Sequence, residues 1–487
     1  MNPIDFVVIA SYIAGCTALG TWLGSKSQGL KGYFLAESDV PVWAVMISIV
    51  ATETSTATFL SVPGVAYRGD FTYLQLGFGY ILGRIIVSVV LLPAYFQGKI
   101  FTAYQLLRDR FGGATRTTAS LLFLTARSLG DGLRLFLAAT VLQHLTGWSV
   151  ETAIVAVAII TVIYTFLGGM KAVIWTDVIQ FSVYIVGAMI ALFILVRTLP
   201  GGWGQLVETA DAAGKFRLFD FSLTLTRPFT FWAGLIGGMV LNTATHGADQ
   251  MMVQRYLSAR SERQAAGALI ASGLVIFAQF SLFLLIGVSL WVFYGIFPPA
   301  NSAIRSDEVF TYFIIHYLPT GVLGLVIAAI FSAAMGTLAG SLNSSASTIV
   351  NDLYRPYTGQ NDERHLLRVG RLMTILWGVV LTTVAFGARH LEDNVVNNAL
   401  AIASFVSGIL LGLFLLGILT QRVGQSAALA GVIAGLTAVS IAKFLTPLAW
   451  PWFALVGSFT VFVTGLSASF VLAGQIVKPQ ITADKLE

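Results

Sequence analysis

The residues Ala51-Thr52-Glu53-Thr54-Ser55-Thr56-Ala57-Thr58 decide how this chain is read. They form a polar block, with Glu53 inside it, set in an otherwise apolar run over 41–66 and followed by Pro63-Gly64. Alternating Thr and Ser are poor helix formers because their hydroxyls compete for nearby backbone groups. The block therefore predicts a helix interrupted halfway along. The surroundings say where that helix lies. Of 487 residues, 56% are hydrophobic and only 10% are charged, whereas a soluble domain carries about 25% charged residues. A surface immersed in lipid explains that depletion. Unwound backbone at membrane depth is tolerated only where it is buried in protein or lines a cavity.

Working outward, apolar runs long enough to span a bilayer recur along the whole chain. Thirteen are read, at about 4–24, 41–66, 72–96, 117–146, 150–168, 173–197, 229–253, 264–293, 308–350, 366–388, 395–420, 425–446 and 450–474. The long run at 308–350 is expected to bend or to project from the bilayer. The fold class is thus an all-α membrane protein of about 13 helices, one transmembrane domain over 1–487. The first run is not a cleaved leader, since Asp5 stands where a signal peptide carries Lys or Arg.

Basic residues set the orientation. Lys26, Lys31, Lys99, Arg108, Arg110, Arg116, Lys171, Arg255, Arg260, Arg263, Arg355, Arg364, Arg368, Arg371 and Arg422 fall in one set of loops; Arg68, Lys215, Arg217, Arg305 and Arg389 fall in the other. The positive-inside rule then places the N-terminus outside and the C-terminus inside. The net charge of +5 is this loop bias and not a nucleic-acid patch. The single cysteine, Cys16, rules out an internal disulfide and multi-cysteine metal sites. The outer loop at about 198–228 is read as a lid or a linker.

A second run is interrupted in the same style, at Gly237-Gly238 and then Asn242-Thr243-Ala244-Thr245-His246-Gly247. Two broken helices five runs apart are the sequence mark of an inverted-repeat transporter with its site at mid-membrane. The competing account is that these polar residues only hold helices together. Charge adds weight to the first account. Arg127, Asp131 and Arg134 fall at spacings of four and three, on one helical face. An ionisable residue at membrane depth costs roughly 2.5–3.5 kcal/mol on insertion scales, so Glu53 needs a partner, for which Arg127, Arg134, a coupling ion or a proton are candidates. His246 is read as a pocket residue and a weaker proton carrier. Asp177 could be an ordinary acid at a helix N-terminus. The run Ala333-Ala334-Met335-Gly336-Thr337 through Ser345 is small and hydroxyl-rich, suited either to close helix approach or to binding sodium through oxygens. No Walker A sequence, GxSxG, HExxH or potassium-filter sequence occurs, so ATP drive, hydrolase chemistry and a potassium channel have no support, and no enzyme activity is expected.

These residues resemble the sodium/solute symporter family. The resemblance rests on Ala51-Thr52, Ser61-Val62-Pro63 and Ala66-Tyr67; on Tyr164-Thr165-Phe166-Leu167-Gly168-Gly169-Met170-Lys171-Ala172-Val173-Ile174-Trp175-Thr176-Asp177; on Asp249-Gln250-Met251-Met252-Val253-Gln254-Arg255-Tyr256; and on Ser341-Leu342-Asn343-Ser344. It implies a leucine-transporter-like inverted repeat of 5+5 helices, with a core at about 41–421 and peripheral helices at about 4–24, 425–446 and 450–474. It implies a sodium site from the carbonyls of Ala51, Thr54 and Ala333 and the Thr337 hydroxyl. Gly336 stands where the family usually has a second hydroxyl, and Asp177 matches an acid near the sodium positions. A further sodium site of some relatives maps to Ala339 and Gly340 and is not expected here. The substrate is expected against Glu53, Ser55 and Thr58, facing Tyr73, Gln75 and Phe78 and the Arg127–Asp131–Arg134 face, with Asn242 and His246 opposite.

The function implied is sodium-coupled symport of a small polar organic solute by alternating access, in the bacterial inner membrane, by a chain competent as a monomer with no nucleic-acid partner. Two guanidiniums near mid-membrane point to a carboxylated solute, a zwitterion or a sugar acid. The alternatives are a sodium- or proton-coupled transporter of a neutral sugar, in which Glu53 pairs internally, and, from other classes, a transporter-like sensor or a channel.

Overall fold

A computed structural model describes residues 2–24, 29–97, 100–299, 304–389 and 395–472. Lys26 and Lys99, counted above among the inner-loop basic residues, lie outside the described residues. The described residues are helical throughout, and their one extended pairing is an isolated bridge between Val40 and Ala259.

The helices that build the site are α1 (Pro3–Gly24), α2 (Val42–Glu53), α3 (Thr56–Arg68), α4 (Gln75–Ile86), α5 (Gly113–Thr146), α6 (Val150–Thr198), α7 (Gly202–Ala212), α8 (Gly238–Gly247), α9 (Gln250–Leu257), α10 (Glu262–Ile296) and α11 (Val322–Thr348). Glu363–Ala388, Val395–Leu419, Gln425–Leu445 and Phe453–Val471 complete the bundle. Nine helices among the described residues are long and apolar enough to cross a membrane, or ten with the bent pair α2 and α3 taken as one span. The count of thirteen is not confirmed. Helix α5, loaded with Arg116, Arg127, Asp131 and Arg134, is not among the nine, and Val150–Ile163 is too short.

The predicted break is present. Helices α2 and α3 meet at 63°, with Thr54 (φ −85, ψ 95) and Ser55 (φ −94, ψ 171) extended between them. The hydroxyls do what their chemistry predicts. Thr54 Oγ1 donates back to Val50 O at 2.9 Å, and Ser55 Oγ caps α3 by accepting from Thr58 N at 3.4 Å.

Two other expectations change, and the bend expected within 308–350 is present. The second interruption is displaced: Asn242 to His246 stay helical in α8, after a π turn at Ala233–Gly237, and the chain breaks at Ala248-Asp249 before α9. Gly247 ends the helix, and Asp249 caps the next by accepting from Met251 N at 2.8 Å. The run at 308–350 splits into Val309–Tyr317 and α11, because Pro319 and Gly321 (φ 85) cannot continue a helix. The runs at 150–168 and 173–197 join in α6 across a kink at Gly169 (φ 60), where a side chain would also strike Tyr33 O.

Helix α11 lies at the centre, buried along nearly all its length. Its N-terminus is held by α1. Asp5, 1% exposed, accepts from Gly321 N at 2.7 Å and Gly324 N at 3.0 Å. Asp5→Ala removes this cap and is expected to cost about 1 kcal/mol, within the roughly 0.5–2 kcal/mol range for such caps. Thermal melts in detergent check it, with Asp5→Asn retaining most of the stability.

Candidate functional site

Glu53, the last residue of α2, does not meet the arginines proposed from sequence. It forms a part-buried ion pair with Arg84 of α4, a residue that sequence reasoning passed over. Arg84 is fully buried and also donates through Nε to Ser272 Oγ at 3.1 Å. His246 Nε2 lies 3.3 Å from Arg84 Nη2 and 3.6 Å from Glu53 Oε2. The signal for Arg84 was available, since it is the one charged residue in the apolar run at 72–96, and such residues mark functional positions.

The helix period explains both the hit and the misses on this element. Tyr73, Tyr80 and Arg84 are spaced by seven and four and share one face. Tyr73 and Tyr80 line the cavity beside the break. Gln75 and Phe78 sit roughly 200° and 140° further round from Tyr73 and face the outer loop. Gln75 Nε2 donates to Phe229 O at 3.1 Å, its Oε1 accepts from Asp220 N at 3.1 Å, and Phe78 stacks on Phe219. Both leave the list of pocket residues.

The opposite wall is α5. Arg127 pairs with Asp249 and reaches Asp131 at 3.5 Å; Arg134 pairs with Asp131. Asp131 is fully buried beneath the two guanidiniums; it is absent from the lining of the cavity at the break and lines a small adjoining one with Arg127, Arg134, Thr245 and Asp249. Glu53, Ser55, Thr58, Tyr73, Arg127, Arg134, Asn242 and His246 do line it, joined by Thr52, Tyr80, Thr245, Met251, Met252 and Phe280. Counting the groups just behind the lining, three guanidiniums (Arg84, Arg127, Arg134) pair with three carboxylates (Glu53, Asp131, Asp249), so charge around the cavity balances. Arg134 Nε and Asn242 Oδ1 have no hydrogen-bond partner among the described residues.

Behind the break, Thr337 Oγ1 lies 3.2 Å from Thr52 O and 3.3 Å from Ala333 O. A hydroxyl and two backbone carbonyls, one at the end of α2 and one within α11, are thus gathered behind the unwound turn. Ala51 lies in the last turn of α2, and Thr54 Oγ1 accepts from Gln279 Nε2 at 2.6 Å. Asp177 is not an acid at a helix end. It lies within α6, fully buried, paired with Arg255 at 3.0 Å and accepting from Ser48 Oγ at 2.5 Å. A side chain at Gly336 would meet Gln180 Oε1 at 2.5 Å and Asp177 Oδ1 at 3.1 Å. Gln180 Oε1 has no hydrogen-bond partner among the described residues. At Gly340 the space belongs to the Arg255 guanidinium, 2.8 Å from where a Cβ would stand.

The outer loop at 198–228 is neither bare linker nor free lid. It holds α7 and is latched down by Lys215, whose Nζ donates to Tyr67 O and Gly69 O, each at 2.8 Å, and lies over the Trp291 ring. Burial pushes that ammonium below the usual lysine range.

A broken helix carrying a paired carboxylate, an oxygen cluster behind it and a polar cavity before it are the parts an ion-coupled membrane transporter needs. The chain belongs to the sodium:solute symporter family, whose model matches residues 33–435. It is similar to the sodium/sialic acid symporter SiaT of Proteus mirabilis, 29% identical over 472 residues covering 95% of this chain and 94% of that one. It is also similar to the sodium/iodide cotransporter of Homo sapiens, 29% identical over 440 residues, 89% of this chain and 68% of that one. Among solved structures, a substrate-bound outward-open Na+-coupled sialic acid symporter superposes with a TM-score of 0.89 at 27% identity, covering 97% of this chain and 98% of that one. The protein is a multi-pass membrane protein of a sodium-coupled family, and sodium is its coupling ion.

Proposed function

We propose that this protein imports a small carboxylated solute, a sugar acid before a zwitterion, together with sodium. The observation carrying the reading is Arg134. It lines the cavity, spends one nitrogen on Asp131, and keeps an Nε with no hydrogen-bond partner among the described residues. A guanidinium so placed suits a carboxylate. Glu53 is held by Arg84 and is not free for a substrate ammonium, which favours the sugar acid, and Ser55, Thr58, Tyr73, Tyr80 and Thr245 supply hydroxyls for a polyol. The sialic acid symporters among the relatives support the same class. Balanced cavity walls favour a second reading, a neutral sugar.

The domain reading is one transmembrane unit over 1–487, with a 5+5 inverted repeat at about 41–421, in the bacterial inner membrane, N-terminus outside and C-terminus inside. The site lies within a single chain, as a functional monomer requires. Uptake into proteoliposomes of sugar acids, matched neutral sugars, amino acids and monocarboxylates, with and without sodium, tests the reading. Saturable sodium-dependent uptake of a sugar acid is expected; uptake confined to neutral sugars refutes it. Trans-stimulated counterflow is expected of a carrier and not of a channel.

The sodium ligands we assign are the carbonyls of Ala51, Thr54 and Ala333 and the hydroxyl of Thr337, with Asp177 nearby. Gln180 Oε1 takes the place of the hydroxyl that Gly336 lacks. Gln180→Leu is therefore expected to raise the sodium half-saturation several-fold. Gly336→Ser is expected to recover part of that loss in the Gln180→Leu background, yet to gain little alone, where the amide occupies its space. Sodium titrations of uptake check both. A Gln180→Leu variant with unchanged sodium dependence removes Gln180 from the site.

A further inference from the structure

Below the break, α11 and the turn that follows it carry a row of side-chain oxygens, three of which the fold does not use. Thr337, Ser341, Ser345, Thr348 and Asp352 follow at spacings of four, four, three and four. At 3.6 residues per turn these fall within roughly 80° of arc, a single face. All five are fully buried. Many buried hydroxyls elsewhere in this chain donate to a carbonyl one turn back, among them Ser332 to Ala328 O at 2.7 Å on the same helix, Ser128 to Leu124 O at 2.7 Å and Thr161 to Val157 O at 2.8 Å. Ser341 Oγ, Ser345 Oγ and Thr348 Oγ1 do not, and they find no other partner among the described residues. An unsatisfied buried hydroxyl costs roughly 1–3 kcal/mol. Three in register on one face are not explained by helix–helix glue, which needs the hydroxyl bonded.

The row ends where α11 changes form. Ile349–Tyr354 is a π turn, a distortion frequent at functional sites. It carries Asp352, whose Oδ1 accepts from Thr102 Oγ1 at 2.7 Å. Ser120 and Arg116 of α5 stand beside it, and Arg116 Nε has no hydrogen-bond partner among the described residues. This end lies with the loops rich in Arg108, Arg110 and Arg116, the cytoplasmic face by the positive-inside rule.

We propose that this row is the route by which sodium leaves for the cytoplasm, and that Asp352, with Thr102 and Ser120, is a second, transient sodium station at its inner end. The inference rests on the reading that Thr337 belongs to the sodium site. A hard cation needs oxygen ligands at every stage of its passage. Residues three and four apart on a helix rise by about 4.5 and 6 Å, so sodium passes from one hydroxyl to the next without crossing an apolar gap. Asp352 gives the row a charged terminus, and Arg116 beside it keeps that station weak enough to release the ion.

The test uses the full chain in proteoliposomes with 22Na+ as the probe. The double variant Ser345→Ala with Thr348→Val, and separately Asp352→Asn, are compared with wild type. Sodium-dependent substrate binding from the outside is expected to stay within about twofold, while turnover and 22Na+ delivery to the lumen fall tenfold or more. Wild-type turnover in both variants overturns the route. So does a loss of sodium-dependent binding that matches the loss of turnover. If Asp352→Asn fails to fold, the hydroxyl double variant, which removes no charge, decides alone. Failure of the sodium-site reading shows elsewhere, as unchanged sodium dependence in Thr337→Ala.

Discussion

Arg84→Leu is expected to abolish transport and to destabilise the protein by about 3–5 kcal/mol, the cost of leaving one member of a buried ion pair alone. Arg84 is fully buried, and its partners Glu53, Ser272 and His246 come from three other helices. Removing the guanidinium strands the Glu53 carboxylate at the end of α2, next to the break that the mechanism must move. Glu53→Gln strands the arginine in turn and is expected to be damaging for every substrate, not for amino-bearing ones alone. The double variant Glu53→Gln with Arg84→Leu buries no charge, so much of the stability should return while transport stays low. Thermal unfolding and uptake, measured on the three variants, separate the two effects. An Arg84→Leu protein that melts and transports like wild type would show that the pair does not organise the site.

Thr337→Ala is expected to raise the sodium half-saturation roughly 10- to 100-fold, with the fold intact. A hydrogen-bonding or ligating group to a charge contributes roughly 1.5–3 kcal/mol, and each 1.4 kcal/mol is about tenfold in affinity. The fold survives because the Thr337 hydroxyl meets only two backbone carbonyls, Thr52 O and Ala333 O. Thr337→Ser keeps the oxygen and is expected to stay near wild type. The sodium dependence of substrate binding reads this directly, and an Ala variant with unchanged sodium dependence removes Thr337 from the site.

Much of the site was legible because its signals are local. The break at Thr54-Ser55 follows from hydroxyls competing for backbone, and it appeared where the sequence put it. The face of Arg127, Asp131 and Arg134 follows from helical period, and its internal pairs are present. The second break was misplaced by a few residues because Asn, Thr and His at 242–246 tolerate a helix once its polar groups are satisfied by neighbours. Gln75 and Phe78 were assigned with Tyr73 although the helix period sets them on another face.

The sequence by itself determined that this chain lies in a membrane, that one helix is broken around Glu53, and which charges share a face. Those properties depend on composition and on neighbours within a turn or two. Tertiary structure decided the partners. Glu53 pairs with Arg84, Arg127 with Asp249 and Asp177 with Arg255, across separations of 31, 122 and 78 residues. A buried charge is compensated by whichever opposite charge the packing of helices brings within a few ångströms, and that distance is set by the bundle and not by the spacing of residues along the chain.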